Sequence, residues 1–467
     1  MRGWGAMAKL VWRVKVVADP GLGAVSETEV ARIERDDIAV PETVGLRLAE
    51  GKQLTAAIQA EIVGSQAVVM GEKFRWCEHC RAKLWSKGYY PATFRSLFGD
   101  VPVKVRRLSA CRCRSGSQEP KSFAAMMVTG GIALELAYVT AKFAALAPFA
   151  RVADLLSELL PIGGPANAGT VRNRTLRVGR TVATLTPAGT QLAEPDAVTP
   201  AMTIGLDGGY VRSRHRRPER NFEIIAGKVI SADGEVRRFA FARNGGSMEA
   251  FAHALVRAGV RGGTPATVLS DGDEGLRKLQ RRVLPKATVV LDWFHVAMRF
   301  EHALRTAVGV GAETVDAYIG NIVHRDVEHA KWRLWHGRWR GCLIKLVGVC
   351  RWTRAKSTAN VKGVQTLRRH LRDLIAYLEA NRSGLVNYGA RYRRRELIST
   401  GFVESSINEI IARRMTKKQQ MRWNRWTVQP FLDVRVAVLD GTLEGSFRKM
   451  YPEFRSRNDH GSASAVA

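Results

Sequence analysis

The sequence predicts an α/β protein: a five-stranded mixed sheet, a large all-helical insertion after its fifth strand, and two small modules ahead of it. Three observations carry this. Residues 201–292 alternate apolar strand patterns with amphipathic stretches in the order β-β-β-α-β-α-β. Residues 293–398 are long, basic and helical in pattern, without clear strands. Two cysteine pairs and then three helical pieces precede the sheet.

In residues 1–73, Leu10, Trp12, Val14 and Val16 alternate as in a strand, and Leu54, Ile58 and Ile62 then recur at helical spacing. Residues 74–125 form the cysteine-bearing segment. Residues 126–186 read as three helices: Ala133–Leu146, Arg151–Leu160 after Pro148, and a third that follows the Pro161–Pro165 turn. Pro187, Pro195 and Pro200 mark a linker. The sheet region then runs through strands Met202–Asp207, Phe222–Ile230 and Val236–Arg243, the last two joined across Asp233 and Gly234. Helix Met248–Ala258, strand Ala266–Asp271, helix Glu274–Val283 and strand Thr288–Asp292 complete it. After the helical region, residues 399–445 supply a helix from about Gly401 to Met415 and the rest of the core, and residues 446–467 read as a tail, frayed from His460.

Composition narrows the function. The chain has 467 residues, of which 46% are apolar, enough for a sizeable core and too many for a disordered chain. Lys and Arg number 73 against 43 Asp and Glu, a formal net charge of +30 spread along the whole length. Such an excess points to a polyanion, because each phosphate neutralised releases condensed counterions. No unbroken run of about 18 apolar residues is present, so no membrane span is expected. Lys9, Arg13 and Lys15 interrupt the N-terminus where a signal peptide needs an apolar core. Six cysteines are too few for a disulfide scaffold in a chain of this length, and a reducing cytoplasm is expected.

Three acids stand out by position. Asp207 closes the apolar run Met202–Leu206 and precedes Gly208 and Gly209; Asp271 closes Thr267–Ser270 and precedes Gly272. Carboxylates at the ends of neighbouring buried strands lie where α/β sheets form ligand crevices. Their convergence is costly without cations, and two divalent ions held between carboxylates suit phosphoryl transfer. Glu404 is the candidate third ligand, at the edge of the apolar stripe of Val403, Ile407, Ile410 and Ile411. Asn408 shares its side at i+4, and Glu396 and Glu409 are rivals that sit less well against the stripe. An all-oxygen site suits Mg2+, two ions here, with Mn2+ as a substitute. His295 is a candidate for contacting phosphate or leaving group, or for orienting Asp292, which is a weaker fourth-ligand candidate.

Cys77-x-x-Cys80 and Cys111-x-Cys113 offer four thiolates for a structural Zn2+, with the hairpin pattern Phe98–Val105 between them, a zinc-ribbon-like arrangement. Cys342 and Cys350 read as core residues. Residues 149–183 resemble a helix-turn-helix whose last helix places Thr170, Arg172, Asn173, Arg174 and Arg177 toward the major groove; an ordinary hairpin with a basic face is the alternative. Trp332, Trp335 and Trp339 recur at helical spacing and read as core. Arg394, Arg395, Arg413, Arg414, Lys417 and Lys418 flank the glutamate helix and are candidate phosphate contacts.

Asp292-Trp293-Phe294-His295 resembles the acid-x-x-His motif of Mutator and hAT-type transposases. The run Gly401–Asn408, and the later run Arg414–Trp423, resemble the glutamate helix region of bacterial insertion-sequence transposases of the ISKra kind. The resemblance reaches from the cysteines to about Gly441. It implies a ribonuclease-H-like core, Asp207, Asp271 and Glu404 as the catalytic triad of a DDE transposase, and residues 293–398 as an insertion. It further implies double-stranded DNA partners (terminal inverted repeats and target), a homodimer or higher assembly on DNA, and a bacterial, nucleoid-associated setting. A ribonuclease-H-like nuclease or resolvase without strand transfer, and a DNA-binding regulator domesticated from such an enzyme, remain as alternatives.

Overall fold

The computed structural model describes residues 9–19, 25–36, 40–111, 113, 131–163, 167–185, 200–215, 220–244, 246–313, 317–354, 363–416 and 421–455. The chain divides into two compact units, Met1–Thr181 with Leu443–Ala467, and Val182–Thr442.

The first unit begins with an antiparallel pair, β1 (Leu10–Ala18) and β2 (Ser26–Arg35). A two-stranded ribbon is marginal alone, and Arg35 ties this one to the next helix, α1 (Leu48–Lys73). Its guanidinium is 4% exposed. It donates to both carboxylate oxygens of Glu50, at 2.8 and 2.6 Å, and to the carbonyl of Thr43 at 2.9 Å. Glu50 also accepts from the Arg47 N–H at 2.9 Å, closing the helix start. α1 departs from the expected amphipathic helix, since Val63 is its one buried residue and Ile62 stays exposed. Among the described residues, Pro41–Lys73 is long and apolar enough to cross a membrane by length and composition, which an unbroken-run criterion misses. One such helix is weak ground for a span. Its Val63, Ala67 and Met70 pack on Val101, Val103 and Val105.

The hairpin β3 (Ser86–Ser96) and β4 (Gly99–Leu108) lies between the two cysteine pairs. Three helices follow, as the apolar spacing predicts: α2 (Leu134–Leu146), α3 (Phe149–Leu159) and α4 (Ala168–Ala183). Pro148 stands at the N-cap of α3, and Asn167 accepts from the Thr170 N–H at 2.8 Å to start α4.

In the second unit, β5 (Met202–Arg212), β6 (Asn221–Ser231) and β7 (Val236–Ala242) form an antiparallel meander. Then come α5 (Ser247–Arg257), β8 (Ala266–Ser270), α6 (Glu274–Val283) and β9 (Thr288–Leu291). The sheet order is β7-β6-β5-β8-β9, with β5, β8 and β9 parallel. The mixed five-stranded sheet is therefore as expected. β5 is longer than the sequence predicts. It runs five residues past Asp207 because β6 pairs with it as far as Arg212–Asn221.

The helical region comprises α7 (Trp293–Glu313), α8 (Ala317–Trp335), α9 (Trp339–Trp352), α10 (Val364–Ala380) and α11 (Tyr388–Arg393). Cys342 and Cys350 are buried in its core beside Leu269, Val290 and Leu291 of the sheet. Trp335 lies edge-on to Trp293 at 4.9 Å, while Trp332 is half exposed and Trp339 starts the next helix, so the tryptophan spacing does not run along one helix. α12 (Gly401–Ser406) continues with π-type winding over Ile407–Thr416, and α13 (Gln429–Leu439) closes the unit.

The expected tail begins too early. α14 (Leu443–Met450) returns to the first unit, where Phe447 meets Tyr138 at 5.3 Å and Arg455 pairs with Glu135 at 2.7 Å. Residues 456–467, with the predicted frayed end, and most of the 186–200 linker lie outside the described residues.

Arg35 holds the Glu50 carboxyl down to about 2, from an ordinary 4.5. A lowered folded value means that this contribution is full above the unfolded value and is lost as pH falls from about 4.5 to about 2. Hydrogen-exchange protection in β1, β2 and the start of α1, taken relative to the intrinsic rate at each pH, should therefore fall across that window in the wild type. Glu50→Gln should exchange faster at neutral pH and lose the acid step; an unchanged acid step in that variant would count against the bridge.

Candidate active site and cysteine cluster

Parity and register assemble the acids. In the parallel pairing Ile204 faces Val268 and Gly205 faces Leu269, and across the next pair Leu269 faces Val290 and Ser270 faces Leu291. Ile204, Leu206 and Val268 point to the core beneath α5 and α6. Alternation then sends Gly205, Asp207 and Gly209 to the opposite face. Extending the same register by one or two residues puts Asp207, Asp271 and Asp292 on one rung of three adjacent strands.

That opposite face receives α12 and its continuation. A Cβ on Gly205 would stand 2.1 Å from Val403 Cγ2, and one on Gly209 would stand 2.8 Å from Ile411 Cδ1. The glycines around Asp207 thus admit a helix against bare backbone. Gly208 faces Glu223 and Gly209 faces the helix. Val403, Ile410 and Ile411 are buried, and Glu404, one residue past Val403, is exposed. Glu404 has no ion pair among the described residues. Its rivals are committed elsewhere, Glu409 to Arg238 at 3.0 Å and Glu396 to Arg391 at 3.0 Å. Asn408 is half buried, on the π-wound stretch.

A strand-end aspartate often caps the following helix, but here Asp273 takes that role, accepting from the Leu276 N–H at 2.8 Å. The Asp271 carboxylate accepts only the nearby Asp273 N–H, at 3.0 Å, among the described hydrogen bonds. Asp207 accepts from the Gly208 N–H at 2.7 Å. Burial pushes the Asp207 carboxyl above its ordinary value, the Gly208 N–H opposes this, and the charges of Asp271 and Glu404 push it further up. Asp207 therefore feels the charge of both other acids. The three are not drawn into a tight cluster: among the described residues, the group of three or more ligand types whose atoms all lie within 4.8 Å is the cysteine set.

Asp292 is fully buried. Its oxygens accept from His295 Nδ1 at 2.6 Å, from the Phe294 N–H at 2.8 Å, and from the Thr400 hydroxyl. Burial would raise this carboxyl, but those donors hold it below its ordinary value. Asp292 thus orients His295 rather than standing open as a fourth ligand. The Asp292 bond raises the His295 pKa against burial, with further support from the charges of Asp271 and Asp207. Thr400 escaped the sequence reading, although it directly precedes the glutamate helix; its bond joins that helix to the start of α7, as does Trp293 N–H to Ile398 O at 2.9 Å.

Several basic candidates change role. Arg414 is fully buried, with its guanidinium 5.0 Å from the Phe431 ring and 5.5 Å from Trp423, and burial pushes its pKa down to about 9. It is a core residue, closed to DNA phosphates. Arg394, Arg395 and Arg413 are exposed, Arg394 with Glu396 as partner. Lys417 and Lys418 lie outside the described residues. On α4, Arg172, Arg174 and Arg177 are half buried rather than a bare recognition face. Arg174 and Arg177 line a small hollow with Ile132, Ala137 and Phe447, and burial lowers the Arg174 pKa despite nearby Asp100.

The cysteines meet as expected. Cys77 N–H bonds Ala82 O at 2.9 Å and Arg81 N–H bonds Cys77 O at 2.9 Å, a knuckle with Arg81 at φ 58°. The second pair follows β4. Sulfur separations are 3.9 Å for Cys77 and Cys113 and 3.4 Å for Cys80 and Cys111. A tetrahedral zinc with bonds of about 2.3 Å has sulfur–sulfur edges of about 3.8 Å, so the four could hold such an ion. Backbone N–H groups of Cys80 and His79 bring the Cys77 thiol down to about 6, toward the thiolate a metal requires.

No protein-family model matches the chain, and no curated protein matches it. Among solved structures, it is similar to a chain of a Drosophila P element transposase strand transfer complex, at 10% identity and a TM-score of 0.30, over 71% of this chain and 95% of that one. A likeness of that size carries no argument here.

Gly205→Ala should destabilise the second unit by about 1–3 kcal/mol or more through overpacking against Val403, read by denaturant unfolding. A change below about 0.5 kcal/mol would disprove the backbone-contact trough. Cys77→Ser and Cys111→Ser should each lose bound zinc in elemental analysis of purified protein; retention at the wild-type stoichiometry would exclude the four-thiolate site.

Proposed function

We propose that the protein is a DDE-type DNA transposase of ribonuclease-H-like fold, which cuts at transposon ends and joins them to target DNA. The observation that carries this reading is the shared face. Asp271 directly follows β8, and continuing the β5–β8 register by two residues sets it level with Asp207, while the helix bearing Glu404 packs on that face through the glycines either side of Asp207. The motif resemblances at 292–295 and 401–408 and the net charge of +30 support it.

The all-carboxylate donor set suits Mg2+, and the charges of Asp271 and Glu404 that help raise the Asp207 carboxyl are ones a cation would offset. Divalent ions held there supply charge that stabilises the attacking and leaving oxygens of phosphodiester exchange. The chain's own residues do the rest. Asp207 and Asp271 present carboxylates from a rigid sheet, and Glu404 closes the set from above. His295, whose protonated form Asp292 favours, has a remaining ring nitrogen that can donate to a phosphate oxygen. Water attacks phosphorus at the transposon end, the bond to the 3′ oxygen breaks, and the freed 3′-hydroxyl attacks a target phosphodiester, releasing a target 3′-hydroxyl. Arg395 and Arg413 are the exposed phosphate contacts nearest the glutamate helix in sequence. The half-buried arginines of α4 give less support to major-groove reading by that helix.

Incubated with Mg2+ and DNA carrying the sequences that flank its gene, the wild type should give joined products. Asp207→Ala, Asp271→Ala and Glu404→Ala should each lower their yield by about 10²-fold or more. Cleavage without joining would favour a nuclease, and activity surviving Asp271→Ala would defeat the metal-site reading.

A further inference from the structure

The loop that carries Asp271 is held from the helical region. The Tyr377 hydroxyl of α10 donates to the Asp271 carbonyl at 2.6 Å. The Arg299 guanidinium of α7 lies 4.0 Å from the Tyr377 ring centroid, one turn beyond His295. One turn past Tyr377, Asn381 donates to the Tyr377 carbonyl at 2.9 Å and accepts from Arg277 of α6 at 2.8 Å. Its amide fills the space beside Gly272, where a Cβ would stand 2.8 Å from Asn381 Oδ1 and the backbone φ is +90°. The carbonyl and the next residue are thus fixed by a chain segment about a hundred positions away.

We infer that Tyr377 and Asn381 are positioning residues that aim the Asp271 carboxylate, so that the helical region sets divalent-cation affinity at Asp207 and Asp271. This rests on the reading of Asp207, Asp271 and Glu404 as a cation site. A peptide held at its carbonyl and at the following glycine has little freedom to rotate, and the carboxylate hangs from that peptide. Without the Tyr377 hydroxyl the Asp271 carbonyl loses its donor, the peptide gains alternative orientations, and the cation must select among them, which weakens binding. The ring itself remains stacked under Arg299 in a phenylalanine variant, so the fold keeps its packing. Tyr388 supplies a matched control. Its hydroxyl donates to the Leu291 carbonyl at 2.9 Å, also from the helical region to a strand end, but on β9.

Mn2+ alone, titrated into the full chain by calorimetry and by its paramagnetic resonance signal, reads affinity without any turnover. Tyr377→Phe and Asn381→Leu should each bind Mn2+ about fivefold more weakly than wild type. Tyr388→Phe should lower the unfolding temperature by a similar few degrees and leave Mn2+ affinity within twofold of wild type. Asp271→Asn should abolish the binding. If Asp271→Asn abolishes binding while Tyr377→Phe matches wild type, the positioning role is overturned and the cation site stands. Equal weakening in Tyr377→Phe and Tyr388→Phe also overturns it, since general loosening then accounts for both. Unchanged binding in Asp271→Asn overturns the cation site and this inference together.

Discussion

Backbone contact between a helix and a strand organises the catalytic-candidate unit. Gly205 and Gly209 leave β5 bare on either side of Asp207, so Val403 and Ile411 reach the strand itself. The opposite face is filled by Ile204 and Leu206 against the helices that follow β7 and β8. A sheet packed on both sides cannot shift register without moving a whole set of apolar residues to the wrong face. Asp207 lies between the two glycines, so the same contact that seats the helix sets how near its carboxylate comes to Glu404. Neither acid owes its place to an ion pair.

Around this seat, neighbouring charged groups take up the ordinary structural duties. Asp273 caps α6, Glu409 and Asp440 hold Arg238, and Glu396 is shared by Arg391 and Arg394. Asp292 spends its oxygens on His295, Thr400 and a backbone N–H. Asp207, Asp271 and Glu404 have no ion pair among the described residues; burial above all raises the Asp207 carboxyl, and the charges of Asp271 and Glu404 add to it. The large positive net charge coexists with this acidic centre because much of it lies on exposed arginines and lysines, while Arg414 and Arg435 are the arginines of this unit taken into its core.

The helical region does more than separate β9 from the glutamate helix. Its core continues the sheet through Leu269, Val290 and Leu291, and two of its tyrosines end on strand-end carbonyls. In the first unit the same economy holds at smaller scale. Arg35 secures a ribbon too thin to stand alone, and the hairpin of β3 and β4 brings two cysteine pairs within reach of a single ion.

Much of this was legible in the amino-acid order because it depends on local period. Alternating apolar residues give the five strands, equal offsets from the strand starts give Asp207 and Asp271 a common face, and the Cys-x-x-Cys and Cys-x-Cys spacings give the cluster. The 403, 407, 410 and 411 stripe selected Glu404 over Glu396 and Glu409. The misses share one physical cause, which is contact between distant segments. The length of β5 past Asp207 depends on its partner β6, and the burial of Arg414 depends on Trp423 and Phe431 closing over it. The half-buried state of Arg174 depends on the far end of the chain, where α14 brings Phe447 to the same hollow. The hold on Asp271 comes from a tyrosine 106 positions away. Local periodicity decides which face a residue takes, whereas only the tertiary fold decides what that face meets, because burial and hydrogen-bond partners are properties of the segment packed against it.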